Sequence, residues 1–343
     1  MTSNAPLWHE ICARAEETLR STEFAEGAPR SDVESVLLAV SRIAADEWRG
    51  HADRVLGSAE EGRGSFTRAL RAKWGPALDL LLLFIEGAEQ FGDGFVTSQS
   101  RDNRTPLTET LLTLHAAACV CAHEIRWLLS GGYPAGAESR SRTLHEIGVT
   151  ALVLADHAED DAGLLQRYID HRVVADWRYW SYIAEHYSVI GVKEPEAGMI
   201  SRLDARVAEL VAQHSKAFVT DYGWAVPLVG KGTLTELEVL AGRDDRRPLY
   251  KVASSDAVHA NSNLLRRHYV QRADGPERLS NATIQGLARP AAVASHWLWD
   301  STSGLVGAAQ RSESYTPVIG LMALRLLRDD LTQALGDVDD SDC

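Results

Sequence analysis

The sequence predicts an all-α protein, a large multi-helix bundle with an N-terminal helical extension and a short acidic disordered tail. Three observations carry that expectation. Apolar residues recur at helical spacing through most of the 343 residues, caps and Gly/Pro punctuation separate the periodic stretches, and no convincing run of period-two alternation appears. Helices are expected at about 6–24, 31–60, 65–73, 76–95, 105–130, 136–158, 160–189, 197–220, 233–241, 248–272, 279–309 and 314–336.

Several of these boundaries have a local cause. Ser31-Asp32 caps the second segment, and Gly75-Pro76 closes one segment while presetting the first turn of the next. Thr105-Pro106 followed by Glu109 repeats the cap-plus-proline signature, and Gly131-Gly132-Tyr133-Pro134 stops that helix. Between Tyr222 and Pro248 the chain is rich in Gly and Pro and carries the charge run Arg243 to Arg247, which predicts a long loop with one short helix, a place for a lid. Residues 1–100 are expected to form the N-terminal extension, 101–336 the helical core domain and 337–343 the acidic tail.

Composition narrows the function classes. Hydrophobic residues make up 45% and charged residues 24%, enough to bury a proper core. The formal net charge of −13 disfavours broad nucleic-acid binding, because the surface as a whole repels a phosphate backbone. Only Asn261 to Ala273, with Arg266, Arg267, His268 and Arg272 and no carboxylate, runs against that trend; it reads first as a solvated face. The longest apolar run, Leu80 to Ile85, is far too short to span a bilayer, and Met1 to Trp8 lacks the pattern of a leader. Cys12, Cys119, Cys121 and Cys343 lack metal or redox spacing and read as free thiols, so the expected location is the cytoplasm. No cofactor is called for, and homodimerisation is only a default expectation.

Candidate chemistry concentrates on two helices. On the first, Glu138, Arg142 and Glu146 repeat every four residues and share a face, which ordinarily means a surface ion-pair ladder. Here Val149 and Val153 continue that face while Leu144, Ile147, Ala151, Leu152 and Leu154 cover much of the rest, so Arg142 and Glu146 are expected to be buried partners. On the second, Ser255 and His259 are four residues apart, with Tyr250 and Ser254 on nearly the opposite face. A Ser–His pair needs an orienting group and an oxyanion hole before it becomes a nucleophile, and neither can be read here.

Three further constellations have bland readings beside them. His115, Cys119 and His123 share a face, but two turns of helix separate the histidines by roughly 12 Å, so one ion cannot bind both, and no metal is assigned. Arg140 and His145 fit the shortest form of the Arg-then-His signature of metal-independent helical HEPN ribonucleases. Five residues nonetheless rotate them about 140° apart on an undistorted helix. Trp177, Tyr179, Trp180 and Tyr182 would stack a base, or more simply form a core stripe.

The order of these motifs resembles a bacterial family, domain of unknown function 5677, over about residues 105–335. The resemblance rests on Ser141-Arg142-Thr143-Leu144-His145-Glu146, then Arg167-Tyr168 through Asp176-Trp177-Arg178, Gly223-Trp224, and Tyr250, Ser254-Ser255 and Val258-His259-Ala260. It implies an all-helical fold and a shared polar cluster of Arg142, Glu146, Tyr250, Ser255 and His259, without naming a reaction. The leading expectation is therefore a ligand- or partner-binding module with a central polar site. There Arg142 would hold a small anionic group, Glu146 would orient Arg142, and Ser255 with His259 would supply neutral donors. The alternatives are a HEPN-like ribonuclease in stress or phage defence, with Arg140 or Arg142 and His145 near the scissile phosphate, and a purely structural subunit.

Overall fold

A computed structural model describes residues 7–21, 30–98, 104–254, 269–272, 275–278, 282–309 and 315–340. The described residues are overwhelmingly α-helical, as the periodicity predicts. Cα packing divides the chain into two compact units, 1–69 and 70–343, a division earlier than the residue-100 boundary expected from the sequence.

In the first unit, α1 (Leu7–Arg20) packs along α2 (Arg30–Gly50). Ile11 is fully buried, Trp8 meets Trp48 edge-on with ring centroids 5.2 Å apart, and Arg14 pairs with Glu47. The single segment expected over 31–60 is broken at His51, where α3 (Ala52–Ser98) begins.

That helix supplies the first correction. It runs unbroken through Gly75-Pro76, where the sequence suggested a stop. Pro76 removes one backbone donor, yet Trp74, Ala77, Leu78 and Leu81 around it are essentially fully buried, and Arg71 grips Asp79 across the proline at 2.8 and 3.0 Å. Packing on one face and a bridge on the other hold the helix through a residue that would otherwise break it.

The second unit is built on α4 (Pro106–Ser130), α5 (Pro134–His157) and α12 (Ala288–Ala309), which pack mutually, with α13 (Thr316–Asp340) lying along α12. Thr105 caps α4 by accepting from the Thr108 amide. The α5–α12 crossing depends on two glycines: a Cβ on Gly148 would come within 3.0 Å of the Trp297 carbonyl, and one on Gly304 within 3.0 Å of the Ala151 backbone. A Cβ at either place would be tighter than nearly all real contacts, so the two glycines favour this close crossing, which brings the polar side chains of α5 against α12.

Around this core run α6 (Leu164–Asp170), α7 (Arg172–Ile190) and α8 (Met199–His214), with α7 and α8 packed together. The stretch expected as a lid loop instead folds into short helical turns: α9 (Val226–Val229), α10 (Leu234–Leu240) and α11 (Arg247–Ala253). Leu237 and Leu234 from α10 enter the same apolar cluster as Val149, Val153, Phe218 and Trp224, so this segment is part of the core wall.

Two expected helices are corrected at their ends. The segment expected over 248–272 does not stay helical, since Tyr269–Arg272 pairs antiparallel with Gly275–Arg278 in a small hairpin, the one sheet among the described residues. The acidic stretch assigned to a disordered tail continues α13 as far as Asp340, because Leu331 and Leu335 on its inner face are buried. Among the described residues no helix is long and apolar enough to cross a membrane.

Candidate polar site between α5, α10, α11 and α12

Helix α5 carries polar groups on two sides, and the structure treats them differently. Glu138, Ser141 and His145 are buried, whereas Arg142 and Glu146, expected as largely buried partners, are half-buried. Arg142 and Glu146 are joined through a third residue. The Tyr250 hydroxyl accepts from Arg142 Nη2 at 2.7 Å and donates to Glu146 Oε1 at 2.9 Å, using its donor and an acceptor lone pair at once. The guanidinium also lies over the Tyr250 ring, 4.7 Å from its centroid, so α5 and α11 are held by hydrogen bonds and a cation–π contact together.

The chain extends to Tyr222, whose phenol faces the Glu146 carboxylate. Burial first, and the Glu146 charge second, push the Tyr222 hydroxyl well above its ordinary range. Tyr250 is also raised, by burial and by Glu146, against the opposing pull of Arg142. Both phenols therefore stay protonated donors at neutral pH. One atom in this set is left over: Arg142 Nε is shielded from solvent and has no hydrogen-bond partner among the described residues.

Behind the chain lies a second set of charges that the sequence reading did not assemble. His145 Nε2 donates to Glu238 Oε1 at 2.8 Å, and Arg247 donates to the other oxygen. Both His145 and Glu238 are fully buried. Burial pushes the Glu238 carboxyl up, but the bonds from His145 and Arg247 outweigh it and hold the group below its ordinary range. The His145 ring packs against both Tyr250 and Trp297, with centroids 5.4 and 4.6 Å away. Beside it, Asp300 accepts from Arg243 at 3.0 Å and from Arg246 at 2.5 Å; here burial dominates the two arginine charges and the carboxyl is raised. Glu138, expected on an exposed ladder, is instead buried and bonded to Arg289.

The charge run Arg243 to Arg247 thus turns inward onto buried carboxylates. Two clues to this were present in the sequence. Glu238 falls in the apolar 3–4 spacing of Leu234, Leu237 and Ala241, and Asp300 is the one carboxylate in the stretch from Ala291 to Leu305. A carboxylate at a core position needs a cationic partner, and the arginine run is the nearest supply in sequence.

A cleft of about 590 Å³ opens beside the chain, lined by Arg178, Thr220, Tyr222, Lys231, Thr233 and Leu234 among others. Tyr222 belongs both to its wall and to the polar chain. That volume is in the range of small-molecule sites.

Other expected constellations do not assemble. Ser255 and His259 lie outside the described residues, as do Arg266, Arg267 and His268. Arg140 bonds to Glu124 on the exposed side of α5 while His145 is sealed inside against Glu238, so the Arg-then-His pair points to different environments, as the helical rotation requires. His115 is buried with Nε2 on the Ala88 carbonyl and is held by burial below its ordinary value, whereas His123 faces outward to Glu89. Burial pushes the Cys119 thiol up to about 12 and Cys121 up to about 11, so neither is a thiolate at neutral pH. The aromatic helix is no core stripe: Tyr179 and Tyr182 are exposed, and Trp177 bonds to Asp204.

Residues 108–277 match the model of a family of unknown function, DUF5677. The match takes in Arg142, His145, Glu146, Tyr222, Glu238 and Tyr250, and ends before α12, which supplies Trp297 and Asp300. Comparison with curated proteins and comparison with solved structures each found no match.

Proposed function

We propose that this chain is a binding module for a small anionic ligand, with Arg142 as the anchoring cation and Glu146, Tyr222 and Tyr250 as the groups that orient it. One observation carries the reading: Arg142 is held in place by Tyr250 through a bond and a ring face, yet among the described residues its Nε has no partner. A guanidinium fixed this way keeps donors for a carboxylate or phosphate oxygen, and its fork is arranged before the ligand arrives. The adjoining cleft at Tyr222 gives room for the remainder of such a ligand. Ser255 and His259 keep their place in the proposal as supplementary neutral donors.

The test is a thermal-shift and calorimetric titration of the full chain with inorganic phosphate, sulfate and small mono- and dicarboxylates. Saturation at a hundred times the dissociation constant adds about 2.7 kcal/mol of stability, a shift that is easily read. The shift is expected to disappear in Arg142→Gln and to persist in Arg140→Gln. An anion response equally large in Arg142→Gln, or none from any anion in the native protein, leaves the structural-subunit reading in its place.

A further inference from the structure

We propose that Glu86 and Glu89 on α3, with His123 on α4, form a binding site for a divalent transition-metal ion, separate from the polar site described above. The sequence directs attention to His115, Cys119 and His123 as possible ligands and finds the two histidines too far apart. The fold separates them further in character, burying His115 and leaving His123 beside two carboxylates from the neighbouring helix.

The geometry suits one ion. One ligand atom from each of the three side chains lies within 4.8 Å of the other two. Three points that close have a common centre at most about 2.8 Å from each, so side-chain adjustments of less than about 1 Å reach the 2.0–2.2 Å of metal bonds to nitrogen and carboxylate oxygen. Glu86 and Glu89 are three residues apart on one helix and therefore point the same way. His123 Nε2 is already 3.2 Å from Glu89 Oε2, so the imidazole nitrogen faces the carboxylates.

The charge balance points in the same direction. A simple surface ion pair accounts for His123 and Glu89, but among the described residues Glu86 has no cationic partner, and it stands next to a second carboxylate. Two adjacent carboxylates with a neutral imidazole leave two negative charges at one point, which a dication cancels. The mixed nitrogen–oxygen set selects zinc, nickel, cobalt or copper over magnesium and calcium, which prefer oxygen-only shells. Three protein ligands leave at least one coordination position for water.

The experiment is a calorimetric titration of the metal-stripped full chain with zinc chloride, run in the presence of excess magnesium. One equivalent of zinc is expected to bind, and His123→Ala and Glu86→Gln are each expected to weaken binding by at least about ten-fold. All three side chains are partly exposed, so apo melting temperatures should match the native protein and show that the variants fold. No binding to the native chain, displacement by magnesium, or affinity unchanged in both variants would overturn the site. The last of these results would identify adventitious binding at other histidines.

Discussion

The two sides of α5 make different use of the same kinds of residue. Inside, Glu238 and Asp300 each have both oxygens occupied, the first by His145 and Arg247, the second by Arg243 and Arg246. Toward the surface, Arg142, Tyr250 and Glu146 form an open chain with an unpartnered nitrogen in it. The two inner carboxylates have no acceptor position left to offer, and His145 Nδ1, which has no partner among the described residues, is sealed in the interior, so loss of this set is felt as stability. The outer set differs in being only half-buried, so part of its charged surface can be reached, which is what binding needs. The inner set therefore reads as the brace that holds α10, α11 and α12 in place, and the outer set as the part available to a ligand.

The largest expected effect tests the brace. Glu238→Ala strands a buried imidazole and an arginine together, and unfolding by urea should show a loss of about 3–5 kcal/mol. Acid should reproduce part of this. Because the folded Glu238 carboxyl sits below its ordinary value, its contribution is present above that value and lost as pH falls through the depressed one. Asp300 has the opposite sign, its folded carboxyl being raised, so its contribution is fullest at low pH and lost as pH rises through the raised value. The discriminating comparison is therefore Glu238→Gln against the native chain, with the variant losing less stability between about pH 5 and pH 3. Equal slopes would mean that the inner carboxylates are not the source of acid sensitivity.

A smaller effect is expected from the open chain. Tyr250→Phe keeps the ring under Arg142 but removes the hydroxyl that ties Arg142 to Glu146. At half burial this should cost about 1.5 kcal/mol, the low end for bonds to charged groups. Any anion affinity should fall with it, since the guanidinium loses its orienting bond. A loss as large as that of Glu238→Ala would erase the distinction between brace and site, and a loss near zero would show that the chain carries no strain of assembly.

Helical periodicity made most of the fold legible, and so were Arg142, Glu146 and Tyr250 as members of one cluster. What stayed illegible depends on tertiary packing. Pro76 is an accurate local stop signal overridden by the burial of Trp74, Leu78 and Leu81, which no local rule registers. The Tyr222–Pro248 stretch has the composition of a loop, and only the long-range pairing of its arginines with Glu238 and Asp300 makes it wall. Glu138 and Glu146, eight residues apart, fall about 80° from one another on a helical wheel and share one broad face. Which of them meets Arg289 and which meets Tyr250 is decided by what α12 and α11 bring to each end of the helix.

The smallest effect is the control that gives the other two meaning. Arg140 is one of three arginine or histidine side chains within six residues of α5, beside Arg142 and His145, and it is the one that faces outward, bonded to Glu124 with both partners well exposed. Exposed pairs of this kind contribute little, because water solvates either ion nearly as well as the other does and holding two long side chains together costs entropy. Arg140→Gln should therefore change the unfolding free energy by less than about 0.5 kcal/mol and leave any anion response intact. The same variant bears on the ribonuclease alternative, which puts Arg140 or Arg142 with His145 near the scissile phosphate: if Arg140 is the arginine used, its loss abolishes metal-independent cleavage of mixed RNA. Full stability and an unchanged anion response in Arg140→Gln, set beside a response lost in Arg142→Gln, would place the functional cation on the Tyr250 side of the helix. A response lost in Arg140→Gln instead would move the site to the opposite face and break the comparison on which the brace-and-site division rests.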